Sequence, residues 1–257
     1  MNCWHKSVGL LVALPLLAQA QSAAAQQQDA NNYRARKGES AQNFAAEVRF
    51  MPYRPEIDQE PSLGGKTPYQ STFGSMNRVL FSVELDYQAV RIPYVGTLGP
   101  AVSVGYTDMT DKSLTLAGAR SAEDTSLTIY PLHALAVLRA DELYRRTGIP
   151  LVPHAKLGVG YALWRITNPG GTSQAVDTSG NTISGKGGTW GTHFAFGLSL
   201  ALDALDRGAA ANLDENVGIN HTYLWAEYDF MRLTGVGQNN ALRLAANSWA
   251  MGMTFEF

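Results

Sequence analysis

Seven charged side chains in this 257-residue chain share one setting. Glu47, Glu84, Asp86, Glu227 and Asp229, with the bases Arg49 and Lys156, each lie in a segment that is apolar at every second position. Five carboxylates against two bases leave a local excess of three negative charges. Away from bulk water, carboxylates must be paired, hydrated or neutral, so the set reads first as a network of ion pairs. A ring of acids around open water would instead favour cations. Gly158, Gly160, Gly197 and Gly252 share the parity of the charges and leave room for such water.

The histidines are the remaining chemical candidates. His154, His221 and Glu256 fall near one end of their segments and read as hydrogen-bonding groups at a rim. His193, Ser126 and Asp124 fall near the other end, where a base, a nucleophile and an orienting acid can be imagined. A whole intervening segment separates them, however, and no strained G-x-S-x-G elbow occurs, so no catalytic residue is expected. The single cysteine, Cys3, precedes an apolar run and would leave with it. That excludes disulfides and thiolate metal sites downstream, and neither a metal nor a cofactor is expected.

The elements that must position these residues are strands. Residues 249–257 show the pattern most clearly: Trp249, Met251, Met253, Phe255 and Phe257 alternate with Ala250, Gly252, Thr254 and Glu256. Period-two alternation marks a strand with one apolar and one polar face. Eight such segments occur, at 44–50, 79–87, 98–106, 126–139, 152–166, 189–202, 219–230 and from about 244 to the end. Each is about the length of a tilted membrane crossing. The fourth is the least regular, and Pro131 predicts a bulge there. The fold class is therefore all-β: an eight-stranded antiparallel up-and-down transmembrane β-barrel, apolar outside and charged inside. The segments 51–76, 107–125, 167–188 and 231–243 read as long outer loops, and 203–215 reads as a periplasmic turn with a short helix.

The front of the chain agrees with export. Lys6, the apolar run from Val8 to Leu17, and small residues ending at Ala20 or Ala25 make residues 1–25 a signal peptide with two candidate cleavage sites. Residues 26–42 read as a disordered periplasmic lead-in, and 43–257 as the barrel. Charged residues make up 16% of the chain, below the roughly 25% of soluble domains. No basic cluster suggests nucleic acid. The expected location is the outer membrane of a Gram-negative bacterium, with lipid and lipopolysaccharide around the barrel. The terminal strand, with Trp249, Met251, Met253, Phe255 and Phe257, would be the signal read by the barrel assembly machinery.

At Pro52-Tyr-Arg-Pro-Glu-Ile-Asp58, Glu123-Asp-Thr-Ser-Leu127 and Asn220-His-Thr-Tyr-Leu224 the sequence resembles an outer-membrane β-barrel family described from myxobacteria. Pro68-Tyr69, Phe73-Gly74 and Phe255-Glu-Phe257 fit the same resemblance. It implies a small outer-membrane barrel and brings no activity, substrate or catalytic residue. The functional expectation is a structural or surface-interaction role around a largely plugged lumen. A narrow cation-preferring channel is the alternative, and a lipid-modifying or hydrolytic enzyme a more distant one.

Overall fold

The computed structural model describes residues 43–114, 119–176, 179–236 and 241–257. The segments assigned to the signal peptide and the lead-in, 1–25 and 26–42, lie outside the described residues. Eight long strands form the wall: β1 (Phe44–Tyr53), β2 (Arg78–Tyr87), β3 (Gly96–Leu114), β4 (Arg120–Arg139), β5 (Leu151–Asn168), β6 (Lys186–Ala201), β7 (His221–Arg232) and β8 (Ala246–Glu256). Each pairs antiparallel with the next, and β1 also pairs with β8, so the sheet closes on itself. Closure removes the free edges that an open sheet would expose to lipid.

Closure ends at the last residue of the chain. The Phe257 N–H donates to the Phe44 carbonyl and the Phe44 N–H to the Phe257 carbonyl, both at 2.9 Å. The two rings lie 6.3 Å apart, and Tyr87 lies 5.2 Å from Phe44. At the opposite end, Phe50–Phe81, Tyr106–Tyr130 and Tyr161–Trp190 make a second set of ring contacts. Between the two girdles the outward residues are exposed and apolar, among them Val83, Val104, Phe196, Leu224 and Met251. Burial alternates along each strand, as one face to lipid and one to a lumen requires.

Connections at the end where β1 begins are compact. The β2–β3 turn carries a three-residue strand, Val90–Ile92. The β4–β5 connection holds helix α2 (Glu142–Thr147), and the β6–β7 connection holds α3 (Arg207–Val217), capped by Asp206, whose carboxylate accepts from the Gly208 and Ala209 N–H groups. At the other end the β1–β2 loop folds into α1 (Pro68–Phe73), preceded by two short 3-10 turns.

Three features differ from the expectation. Pro131 makes no bulge: β3 pairs Val104 with Leu132 and Thr107 with Ile129, three steps on each strand, so the register is unbroken. The missing proline donor leaves a gap in the ladder rather than a shift. The register shift occurs instead between Lys112 and Leu114. Residues 107–114 and 120–125 are strand rather than loop, because β3 and β4 continue past their tyrosines as a pair. Within 167–188, Gln174–Val176 pairs with Thr182–Ser184 as a separate two-stranded sheet.

Candidate functional site

The lumen is where the charged side chains meet. Glu47 and Glu84 are paired directly across β1 and β2 and project inward together. Like charges in that relation destabilise a sheet. They are held by Lys156, which crosses from β5 with its ammonium 2.5 Å from Glu47 and 2.8 Å from Glu84. Arg49 lies among Glu84, Glu227 and Asp229, at 3.3, 2.8 and 2.9 Å. His154 reaches Glu227 at 3.0 Å through Nε2, and its Nδ1 lies 3.0 Å from the Ser199 hydroxyl. Trp225 lies beneath both bases, its ring 5.3 Å from the Arg49 guanidinium and 5.4 Å from the Lys156 ammonium.

One base in this network was not singled out from sequence. Arg139, at the end of β4, donates to Glu47 at 2.6 Å and to Asp86 at 3.1 Å. It shares the parity of Leu127, Ile129, Leu135 and Val137, all inward, which was the available signal. With Arg139 and Glu256 included, the lumen set becomes six buried carboxylates (Glu47, Glu84, Asp86, Glu227, Asp229 and Glu256) against the three bases Arg49, Arg139 and Lys156. The excess of acid therefore stays at three.

The histidines separate into three settings. His154, expected at the rim, belongs to the central network through Glu227. His221 stays at the rim and pairs with Asp203. Glu256 accepts from Gln88 at 2.8 Å and from the Tyr223 hydroxyl at 3.2 Å. His193 and His133 meet edge to face, 4.4 Å between centroids, with His193 3.1 Å from Asp229 and His133 3.2 Å from Ser103. Ser126 does not join them: its hydroxyl contacts Thr110 at 2.7 Å on the hairpin. Nucleophile and base are thus not brought together.

The space expected at the lumen glycines is filled. A Cβ on Gly160 would come within 2.7 Å of the His133 ring, one on Gly197 within 2.4 Å of Glu227, and one on Gly252 within 2.6 Å of the Trp225 ring. Gly160 and Gly252 make room for large inward rings, while Gly197 lies close against the adjacent strand β7.

Above the charges the lumen becomes apolar. Met51, Leu80, Met109, Leu127, Ile129, Met231 and Leu233 form one buried cluster with Ile57, Tyr69 and Phe73 from the β1–β2 loop. The loop is tied down at several points. Tyr53 donates to the Leu244 carbonyl at 2.8 Å, and the Glu56 N–H to the Ala245 carbonyl at 2.9 Å. Asp58 accepts from the first free N–H groups of α1, at Tyr69 and Gln70. The Tyr69 hydroxyl donates to the Met109 sulfur at 3.2 Å, and burial, against the pull of Arg54 and Arg78, raises its phenol pKa. Opening a water path here means re-exposing several core side chains, at about 1.5–3 kcal/mol each.

No protein-family model and no curated protein matches the chain. Among solved structures, it is similar to Ail, the attachment invasion locus protein of Yersinia pestis, determined with the heparin analogue sucrose octasulfate: 12% identity, 85% of this chain, 99% of that one, TM-score 0.40. It is similar to OprG of Pseudomonas aeruginosa at 11% identity over 86% and 98% of the two chains, TM-score 0.43. Neisserial surface protein A matches at 14% over 86% and 97%, TM-score 0.36. These likenesses do not support the myxobacterial assignment, and they bear on nothing beyond the barrel, which the strand pairing establishes by itself.

Proposed function

We propose that this chain is a Gram-negative outer-membrane protein with a closed lumen, whose work is done at its looped face as a structural or surface-interacting component. The signal peptide would take it to the periplasm. The terminal strand, with Trp249, Met251, Met253, Phe255 and Phe257, would hand it to the barrel assembly machinery. In the membrane, phospholipid and lipopolysaccharide would cover the apolar belt. The observation that carries the reading is the double closure: an ion-paired layer around Arg49 and Lys156, sealed by the apolar layer beneath the β1–β2 loop.

The best surface for interaction is the β3–β4 hairpin. It continues eight residues past Tyr106 to Leu114, about 27 Å of strand. Thr128 donates to Asp108 at 2.7 Å, Thr110 meets Ser126 at 2.7 Å, and Arg120 pairs with Asp111 at 2.9 Å. Over its described strands the result is a stiffened finger with a polar outward face.

Conductance of the refolded protein in a planar bilayer tests the closed lumen, using a sample whose gel band shifts on boiling. A silent bilayer is the expected result. Steady cation-selective openings, lost when Glu84 or Glu227 is neutralised, would replace it with a channel.

A further inference from the structure

The compact end of the barrel exposes apolar side chains that neither the belt nor the lumen uses. Tyr94 in the β2–β3 turn is 74% exposed, and Leu205 and Val217 in the β6–β7 connection are 73% and 66% exposed. Leu143 and Ile149 in the β4–β5 connection, and Leu213 on α3, are exposed as well. Four junctions surround this end, and the fourth, between β8 and β1, carries Phe257 and Phe44. Three of the four junctions therefore present apolar surface beyond the girdle, and Phe44 and Phe257 of the girdle complete the ring, which makes a collar rather than a patch.

The collar lies beyond the hydrocarbon. On β6 the outward residues run from Trp190 to Leu200, ten residues on. That is about 34 Å of strand, or about 25 Å along the membrane normal at a tilt of ~45°, which already spans the apolar band of a barrel. Leu205, Leu213 and Val217 follow it, at the depth of the lipid headgroups. On α3, Leu213 and Val217 are one turn apart on the same face, while Glu215 points to the opposite side at about 100° per residue.

Tyr94 shows that this exposure has a cost. It is the one non-glycine residue with positive φ, 66°, among the described residues. Left-handed backbone at a bulky residue is unfavourable and persists only where its surroundings hold it. Here the Arg146 guanidinium lies 4.4 Å from the ring, and the Glu142 N–H donates to the Val95 carbonyl at 3.3 Å, which ties the two turns together. The strained turn holds an aromatic ring outward with a cation against it, a pairing suited to a membrane–water interface.

We propose that these turns and α3 form an interfacial collar that lies in the headgroup layer of the inner leaflet and fixes the depth of the barrel. This rests on the reading of the barrel as membrane-spanning. A bilayer fits better than a protein partner, because the apolar residues encircle the barrel and continue its girdle. Around α3 the acids Asp203, Asp206, Asp214 and Glu215 outnumber the one base, Arg207, so the matching lipid is zwitterionic, with an ammonium headgroup such as phosphatidylethanolamine.

The test uses the full chain with Cys3→Ser, refolded into phosphatidylcholine–phosphatidylethanolamine vesicles and spin-labelled at single cysteines. Collision with dissolved oxygen reports lipid, and collision with a water-soluble nickel chelate reports solvent. Labels at Tyr94→Cys, Leu213→Cys and Val217→Cys should show a severalfold higher oxygen-to-nickel ratio than Glu215→Cys. They should still rank below the mid-belt control Val83→Cys. If all four turn labels are equally open to nickel while Val83→Cys stays rich in oxygen, the collar is wrong and the barrel reading survives. A Val83→Cys label open to nickel overturns both. Turn labels shielded from both reagents in native membranes would mean a protein covers the collar, which also overturns it.

Discussion

Lys156→Met is the sharpest test of how the lumen holds together. The ammonium is fully buried and lies within 4 Å of three carboxylates: Glu47 at 2.5 Å, Glu84 at 2.8 Å and Glu227 at 3.8 Å. At an effective dielectric constant of ~20, one such contact at 4 Å amounts to about 4 kcal/mol. Desolvating the ammonium and its partners takes back several kcal/mol. Removing one member of a buried ionic set costs about 3–5 kcal/mol, chiefly because the other members are left uncompensated. Methionine keeps much of the lysine stem, so cavity formation adds little. Glu47 and Glu84, paired across adjacent strands, are then left facing each other with one fewer cation. A loss of about 3–5 kcal/mol is expected in urea titrations of protein refolded in vesicles, followed by tryptophan fluorescence and gel mobility. Glu84→Gln added to Lys156→Met should recover a large part of it, because the stranded repulsion is gone. A Lys156→Met protein within about 0.5 kcal/mol of the parent would refute the reasoning. So would strict additivity of the two changes, since coupled neighbours must show an interaction energy.

Two further outcomes concern the wall and its seam. Val83→Arg, on the outward face of β2, should cost about 2–4 kcal/mol in the same titration, and Ala122→Arg, on the hairpin above the girdle, about 0–1 kcal/mol; equal costs would mean that Val83 does not face lipid. Phe257→Ser keeps the terminal backbone hydrogen bonds but removes the ring from Phe44, and should lower the heat-modifiable protein recovered in outer-membrane fractions. Unchanged recovery would count against the terminal strand as an assembly signal.

Alternation made the strand count and most of the inward set legible, because a lipid-facing wall forces every second side chain to be apolar. The rule misleads on β4. There Leu127 and Ile129 are apolar and inward, because the β1–β2 loop supplies Ile57, Tyr69 and Phe73 to pack against them. No local pattern announces that a distant loop will dry out one end of the lumen. Arg139 was overlooked for the same reason, since its inward neighbours look like an outer face. The stretches 107–114 of β3 and 120–125 of β4 read as loop because the outward residues there are polar: Asp108 and Thr110 pair with Thr128 and Ser126 through hydroxyls and a carboxylate, so no outer apolar face marks the strand. His154 was placed at the rim from its position near the strand start, but Lys156, two residues on, is already in the central layer.

The seam between the first and last strands carries a consequence for biosynthesis. Phe44 exchanges both of its backbone hydrogen bonds with Phe257, so the wall is sewn shut between segments far apart in the chain. Seven of the eight strand pairings join neighbours in sequence and can form in turn, but the eighth joins the first strand to the last and must wait until β8 is in place. A chain without β8 would leave a row of unpaired amides on β1 and β7 facing hydrocarbon, where no water can satisfy them. The cylinder therefore inspects its own completeness, and a fragment has no stable way to pass as the whole.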